Sequence, residues 1–220
     1  HTCGLTATGA AWCWGWNGYE QLGDNTVNGG PTTAPVAVTG GSSFSTLVAG
    51  SAHTCGLTTA GAAWCWGSNQ WGQLGSGTYN WATGAPVAVT GGKTFTTLVA
   101  GSNHTCGLTA TGAAWCWGLN GNGQLGDGTA NGNPTTAPVA VTGGKAFTTL
   151  VAGSNHTCGL TAAGAAWCWG YNWAGQLGSE IARQELRGVG VATHQENWVT
   201  VPKRRKILPS RSPEREHSPR

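Results

Sequence analysis

The sequence predicts an all-β protein, a β-propeller of four-stranded antiparallel blades with about three and a half blades present. Three observations carry this. The stretch His1-Thr-Cys-Gly-Leu-Thr-Ala-Thr-Gly-Ala-Ala-Trp-Cys-Trp-Gly15 returns almost letter for letter at His53–Gly67, His104–Gly118 and His156–Gly170. The copies start at residues 1, 53, 104 and 156, a period of 51 or 52 residues. Each period holds four short strand-like pieces, in the second repeat Phe44–Ala49, His53–Thr58, Ala62–Trp66 and Pro86–Val89. Four strands in about 50 residues make one propeller blade.

The first of these pieces ends in Leu-Val-Ala-Gly-Ser at 47–51, 98–102 and 150–154, small and apolar enough for the crowded innermost strand. The second and third form a hairpin. Ala7-Thr8-Gly9 is a three-residue loop whose last position requires φ > 0, and Gly alone is fixed there in the other copies. Counting back from the loop, Leu5 faces Ala11, Gly4 faces Trp12 and Cys3 faces Cys13. Cys3 and Cys13 then fall on a non-hydrogen-bonded pair with Cα atoms about 4.5 Å apart, within bridging range. Cys3, Leu5, Ala11 and Cys13 share one side of the sheet, and Trp12 and Trp14 the other. The fourth piece follows a Gly/Asn/Thr loop, and Pro86 at its start suits an edge strand.

The eight cysteines therefore fall into four pairs: Cys3 with Cys13, Cys55 with Cys65, Cys106 with Cys116, and Cys158 with Cys168. The hairpin register favours a disulfide within each repeat. Free buried thiols, or zinc held with the neighbouring His, are the competing readings, and zinc lacks a fourth ligand in every repeat. Disulfides imply an extracellular, cell-surface or periplasmic location. Charged residues make up only 9% of the chain and Gly plus Pro about a fifth, but 13 Trp and the alternating apolar segments argue for a turn-rich β protein rather than a disordered one. No apolar run approaches the ~20 residues of a membrane span. The chain has no Met, so it is expected to begin inside a larger gene product or after processing.

Gly101-Ser-Asn-His-Thr-Cys-Gly-Leu-Thr109, followed by Trp115-Cys-Trp-Gly-Leu-Asn-Gly-Asn-Gly-Gln-Leu-Gly126, resembles the repeat of the regulator of chromosome condensation family. The resemblance extends over residues 1–178 and recurs four times. It implies propeller blades, usually seven to a closed ring, so this chain is expected to be part of a longer repeat protein, the alternative being closure by self-association. It does not imply one function. The family includes a nuclear guanine-nucleotide exchange factor that binds chromatin, a plant ultraviolet-B sensor and a secreted inhibitor of β-lactamases. The paired cysteines depart from the nuclear pattern and suit a secreted bacterial relative.

Positions held in every copy should be scaffold, and those that vary are free to form a binding surface. The invariant Trp-Cys-Trp and His-Thr-Cys positions are therefore read as packing. Residues 1–178 contain only Glu20, Asp24 and Asp127 as acids, which supplies general acid–base chemistry poorly, and no catalytic residue, metal or cofactor is expected. Variation concentrates after Trp-Gly and after Gln-Leu-Gly. The aromatic residues there, Trp16, Tyr19, Trp71, Tyr79, Trp81, Tyr171 and Trp173, are the candidate binding residues, since exposed aromatics combine a large apolar face with a polar handle.

Residues 179–220 hold nine of the 11 Lys/Arg and five of the eight acids, so this tail carries +4 and the repeats −1. The tail is expected to be largely disordered, with short strands at Gly188–Val191 and Trp198–Val201 and a basic cluster at Lys203–Lys206. The pattern breaks in mid-repeat after Gly178, so a fused or frameshifted terminus is also a reading. Nucleic-acid contact, if any, rests on the tail alone. The expected function is a non-enzymatic extracellular module that presents propeller loops to a protein or glycan. The alternatives are a nuclear-type exchange factor or chromatin-binding relative and, more weakly, the repeat region of a larger secreted enzyme.

Overall fold

The computed structural model describes residues 1–26, 29–178, 189–191 and 199–200. They form an unclosed arc of four sheets, and the described residues contain no helix. The first sheet is β1 (Thr2–Leu5), β2 (Ala11–Asn17) and β3 (Gly29–Ala37). The second is β4 (Thr46–Ala49), β5 (His53–Leu57), β6 (Ala63–Asn69) and β7 (Asn80–Ala88), and the third β8 (Thr97–Ala100), β9 (His104–Leu108), β10 (Ala114–Asn120) and β11 (Asn131–Ala140). The fourth has β12 (Phe147–Ala152), β13 (His156–Thr161) and β14 (Ala166–Gly170), then the short β15 (Val189–Val191) and β16 (Val199–Thr200). Both tail strands fall where the sequence expects them, β15 pairing in parallel with β14. The rest of the tail, its expected disorder and its basic cluster included, lies outside the described residues.

The hairpin register is the one counted from the loop. Cys3 faces Cys13, Gly4 faces Trp12 and Leu5 faces Ala11, with Gly9 at φ 82. All four disulfides close within their own repeats: Cys3 to Cys13 and Cys55 to Cys65 across Cα pairs 4.1 Å apart, and Cys106 to Cys116 and Cys158 to Cys168 across pairs 4.0 Å apart. These separations are slightly shorter than the distance expected from the register alone. No described cysteine is free, so the reading of buried free thiols does not hold. Cys116 is fully enclosed between blades, whereas Cys168 keeps 8% exposure because, among the described residues, no further blade is stacked on the fourth sheet.

The outer strand differs from expectation. It starts at Asn80 rather than Pro86, because register shifts after Cys65 and after Ser68 let it keep pairing beyond the alternating stretch. Trp81, placed in a loop by the sequence pattern, is therefore on β7, and Trp16 is likewise on β2.

Adjacent blades are joined by one interface repeated three times. The Cys/Leu side of each blade packs under the second Trp of the next: Ala11, Cys13, Leu22 and Phe44 with Trp66, and Cys55, Cys65, Leu74 and Phe95 with Trp117. In the third interface Cys106, Cys116, Leu125 and Phe147 pack with Trp169. The buried indole donates its Nε1–H to a backbone carbonyl of the preceding blade, Trp66 to Gln21 (3.0 Å), Trp117 to Gln73 and Trp169 to Gln124 (2.9 Å each). The same carbonyls accept the hydroxyls of Thr54, Thr105 and Thr157. Because each threonine spends its only proton there, the histidine that contacts its oxygen must donate from Nε2. These pairs are His1 to Thr54 (2.8 Å), His53 to Thr105 and His104 to Thr157 (2.9 Å each). The invariant His is thus a rivet between blades.

The first Trp of Trp-Cys-Trp is less enclosed than expected. Trp64 and Trp115 are half-buried against the clusters of the preceding blades and Trp167 is buried, whereas Trp12 is exposed because among the described residues no blade precedes the first sheet. Burial also fails where no further blade is stacked. Leu57 and Leu108 are buried but the equivalent Leu160 is exposed, and Trp14 is half-buried where Trp66, Trp117 and Trp169 are fully enclosed.

Candidate functional site

Antiparallel strand order sorts the loops onto two ends of the arc. The turns between first and second strands (50–52, 101–103, 153–155) share an end with the loops between third and fourth strands (18–26, 70–79, 121–130). Backbone hydrogen bonds tie these together, Ser68 N to Ala52 O and Leu119 N to Asn103 O, each 2.8 Å. We call this the loop face. The hairpin loops and the connectors between blades occupy the opposite face, where Phe44 N donates to Gly9 O (2.8 Å). At the loop face the small Ala-Gly-Ser turns 49–51, 100–102 and 152–154 ring an opening of about 370 Å³.

The third-to-fourth-strand loops are built on one invariant asparagine. Asn17 Oδ1 accepts from Leu22 N (3.0 Å), and its Nδ2 donates to Thr26 Oγ1 (2.9 Å). Asn69 and Asn120 accept in the same way from Leu74 and Leu125. The following glutamine folds back, Tyr19 N donating to Gln21 Oε1 and Trp71 N to Gln73 Oε1 at 2.9 Å. The repeat motif contains this Asn and Gln, but the sequence alone does not show their task. Their recurrence in every copy was the available signal.

All seven candidate aromatics lie at the loop face. Trp173 is the most open at 87% exposure, then Tyr79 (64%), Trp81 (60%) and Trp16 (55%). Tyr19, Trp71 and Tyr171 are half-buried. The structure brings two of them together across a blade boundary: Tyr19 of the first blade stacks on Trp81 of the second, ring centroids 5.1 Å apart and tilted 32°. Trp16 lies over Gly18, where a Cβ would come 2.5 Å from its Cζ2. Trp71, Tyr171 and Trp173 are not brought against one another.

Sequence reasoning missed Glu20. It adopts φ 61, where the other three repeats have Gly72, Gly123 and Gly175, each at φ 75. Its carboxylate reaches the next blade at Gly84, where a Cβ would lie 2.9 Å from Oε2. The neighbouring blades carry Thr33 and Thr136 at the position of Gly84. Among the described residues no hydrogen bond or ion pair satisfies that carboxylate. The two lysines of the described residues are on the opposite face, Lys93 Nζ 4.1 Å from the centroid of Trp115 and Lys145 Nζ 4.5 Å from that of Trp167.

His53 and His104 are buried between blades. Desolvation first, and the neighbouring His104 second, lower the pKa of His53 to about 3. Burial and then His156 lower that of His104 to about 4. Neither buried Nδ1 has an acceptor to meet. Among the described residues no group of three or more His, Cys, Asp or Glu is placed to hold a metal ion.

The regulator of chromosome condensation (RCC1) repeat family matches residues 1–21, 37–73, 95–124 and 147–176, more than half the chain. A second description of the same repeat matches 60–108 and 111–160. The chain belongs to the RCC1 repeat family. Its repeats are 29% identical to the ultraviolet-B receptor UVR8 of Arabidopsis thaliana over 180 residues, 81% of this chain and 41% of that one. They are 30% identical to the mitochondrial RCC1 domain-containing protein RUG3 of the same plant, covering 84% and 43%. Among solved structures, human WBSCR16 aligns at TM-score 0.70 and 21% identity, over 77% of this chain and 44% of that one. Yeast RCC1 (Prp20), solved bound to Kap60, aligns at 0.70 and 18%, over 93% and 52%. The chain thus spans less than half the length of the curated relatives it matches. The RCC1-repeat propeller is a protein-interaction fold, and this chain carries it with four disulfides.

Proposed function

We propose that this chain is a non-catalytic binding module of an oxidising compartment, outside the cell or in a periplasm, which engages a protein partner through its loop face. One observation carries the reading. The invariant His, Thr, Cys, Gln and second Trp of each repeat are consumed in joining blades, while the aromatics that differ between repeats all emerge at one end of the arc. A surface with Trp16, Tyr79, Trp81 and Trp173 each more than half exposed is unusual without a partner, because large apolar side chains left in water favour burial in an interface.

The compartment reading is supported by four disulfides, each closing a hairpin and buried or half-buried within the arc. The partner class is supported by Prp20, whose structures are described with Kap60 bound and for binding to Gsp1p and histones, all of them proteins. The test uses the full chain as bait against proteins of its native exterior, followed by affinity measurement on the partner captured. Trp81→Ala with Trp173→Ala is expected to weaken binding at least about tenfold, the loss of one or two interface anchors. Unchanged affinity in that variant, with loss instead in Trp12→Ala on the opposite face, refutes the assignment.

A further inference from the structure

We propose that the junction between the first and second blades is a receptor for an arginine side chain of the protein partner, held between the Tyr19–Trp81 pair and the Glu20 carboxylate. The proposal rests on the loop-face reading above and adds the chemistry of what that face takes.

The two halves of the site come from different blades and differ from their repeat equivalents. At the positions of Tyr19 and Trp81 the third and fourth repeats offer Asn122, Ala174 and Asn133, so the stacked pair is peculiar to this junction. Glu20 replaces a glycine, and Gly84 replaces a threonine whose side chain would occupy the space of the carboxylate. The two exceptions therefore fit one another, and they put an acid next in sequence to Tyr19 and against Gly84, three residues along β7 from the exposed Trp81. Glu20 is half-buried, and no described group hydrogen-bonds or ion-pairs with its carboxylate.

Electrostatics then select the ligand. A π face flanked by a carboxylate attracts a cation from two directions, through the ring quadrupole and through opposite charge. The chain itself shows the first half of that interaction on its other face, where Lys93 and Lys145 lie over Trp115 and Trp167. At the loop face no lysine of the described residues plays this part. Arginine fits better than lysine, because a planar guanidinium stacks flat on the indole while its edge donates two parallel hydrogen bonds to a carboxylate. An acidic ligand is repelled by Glu20, and a neutral glycan gains stacking on Trp81 but draws nothing from the charge.

The experiment titrates the full-length chain with a blocked peptide of alternating Gly and Arg, following tryptophan fluorescence, in parallel with its Gly/Lys and Gly/Glu counterparts and a neutral chito-oligosaccharide. Binding of the Arg peptide is expected to exceed that of the Lys peptide, to weaken with salt, and to fall at least about fivefold in Glu20→Gln and in Trp81→Ala, the loss of one charge-assisted or cation–π contact. Lys93→Ala, on the other face, is expected to leave it unchanged. Equal binding of the Glu peptide, preference for the saccharide, or an Arg-peptide affinity indifferent to Glu20→Gln overturns the proposal. Failure of the site is distinguishable from failure of the face. A captured partner that releases from the Trp81→Ala variant but not from Glu20→Gln sinks the arginine receptor and leaves the loop-face reading standing.

Discussion

Acid should loosen this propeller through its buried histidines. His53 and His104 each donate from Nε2 to a threonine of the next blade, and a second proton would have to sit on an Nδ1 that meets no acceptor. Desolvation chiefly, with a neighbouring histidine second, lowers their pKa values to about 3 and about 4. In the unfolded chain both return to about 6.5. The folded values are depressed, so below pH 6.5 the unfolded chain binds protons that the folded one refuses. The stabilisation is therefore complete above pH 6.5 and is lost as pH falls toward the folded values. The slope is about 1.4 kcal/mol per pH unit for each histidine, so the pair costs about 4 kcal/mol between pH 7 and pH 5. That is a large share of a domain's usual stability of about 5–15 kcal/mol. Urea denaturation followed by tryptophan fluorescence at half-unit steps measures it, since Trp117 and Trp169 are buried in the same interfaces. His53→Gln keeps an N–H for Thr105 but cannot titrate. It is expected to be less stable at pH 7 yet to show about half the wild-type slope between pH 6 and 5. A flat wild-type profile over that range, or an unchanged slope in His53→Gln, refutes the reasoning.

Three further outcomes follow from the same geometry. Glu20→Gly relieves a left-handed backbone position that its three counterparts give to glycine, and is expected to raise stability by about 1 kcal/mol in thermal or urea unfolding. Gly56→Ala places a Cβ 2.5 Å from the ring of Phe44 and is expected to cost about 1–3 kcal/mol, whereas Gly132→Ala meets nothing within 4 Å and is expected to be near neutral. Non-reducing peptide mapping of the folded chain is expected to recover only within-repeat cystine pairs. Replacing both Cys55 and Cys65 by Ala is expected to remove about 3 kcal/mol, the entropy of a short closed loop, although the buried site adds a cavity cost.

The hairpin was legible in the sequence because its determinants are local. A glycine third in a three-residue loop sets the register, and the register alone carries Cys3 to Cys13 and, in the later copies, Cys106 to Cys116 and Cys158 to Cys168. The contacts between blades were not legible. The indole of Trp66 finds the carbonyl of Gln21, 45 residues away in sequence, and any backbone carbonyl looks alike in a sequence. The length of β7 was hidden for another reason. Bulges break the two-residue alternation that marks a strand, so Trp81 read as loop. The seven aromatics could be nominated from repeat variation, but the partnership of Tyr19 with Trp81 depends on how far one blade turns from the next. Glu20 was passed over as one of three scattered acids. Only its backbone conformation and its reach to Gly84 single it out.

We propose that the loop face, and not the threonine-rich hairpin face, meets the partner. Hydrogen–deuterium exchange on the full chain with and without its captured partner tests this most directly. Protection is expected in 16–26 and 78–85, with none added in the hairpin loops 58–62 and 109–113. Protection confined to those hairpin loops, with 16–26 and 78–85 exchanging as in the free chain, contradicts it.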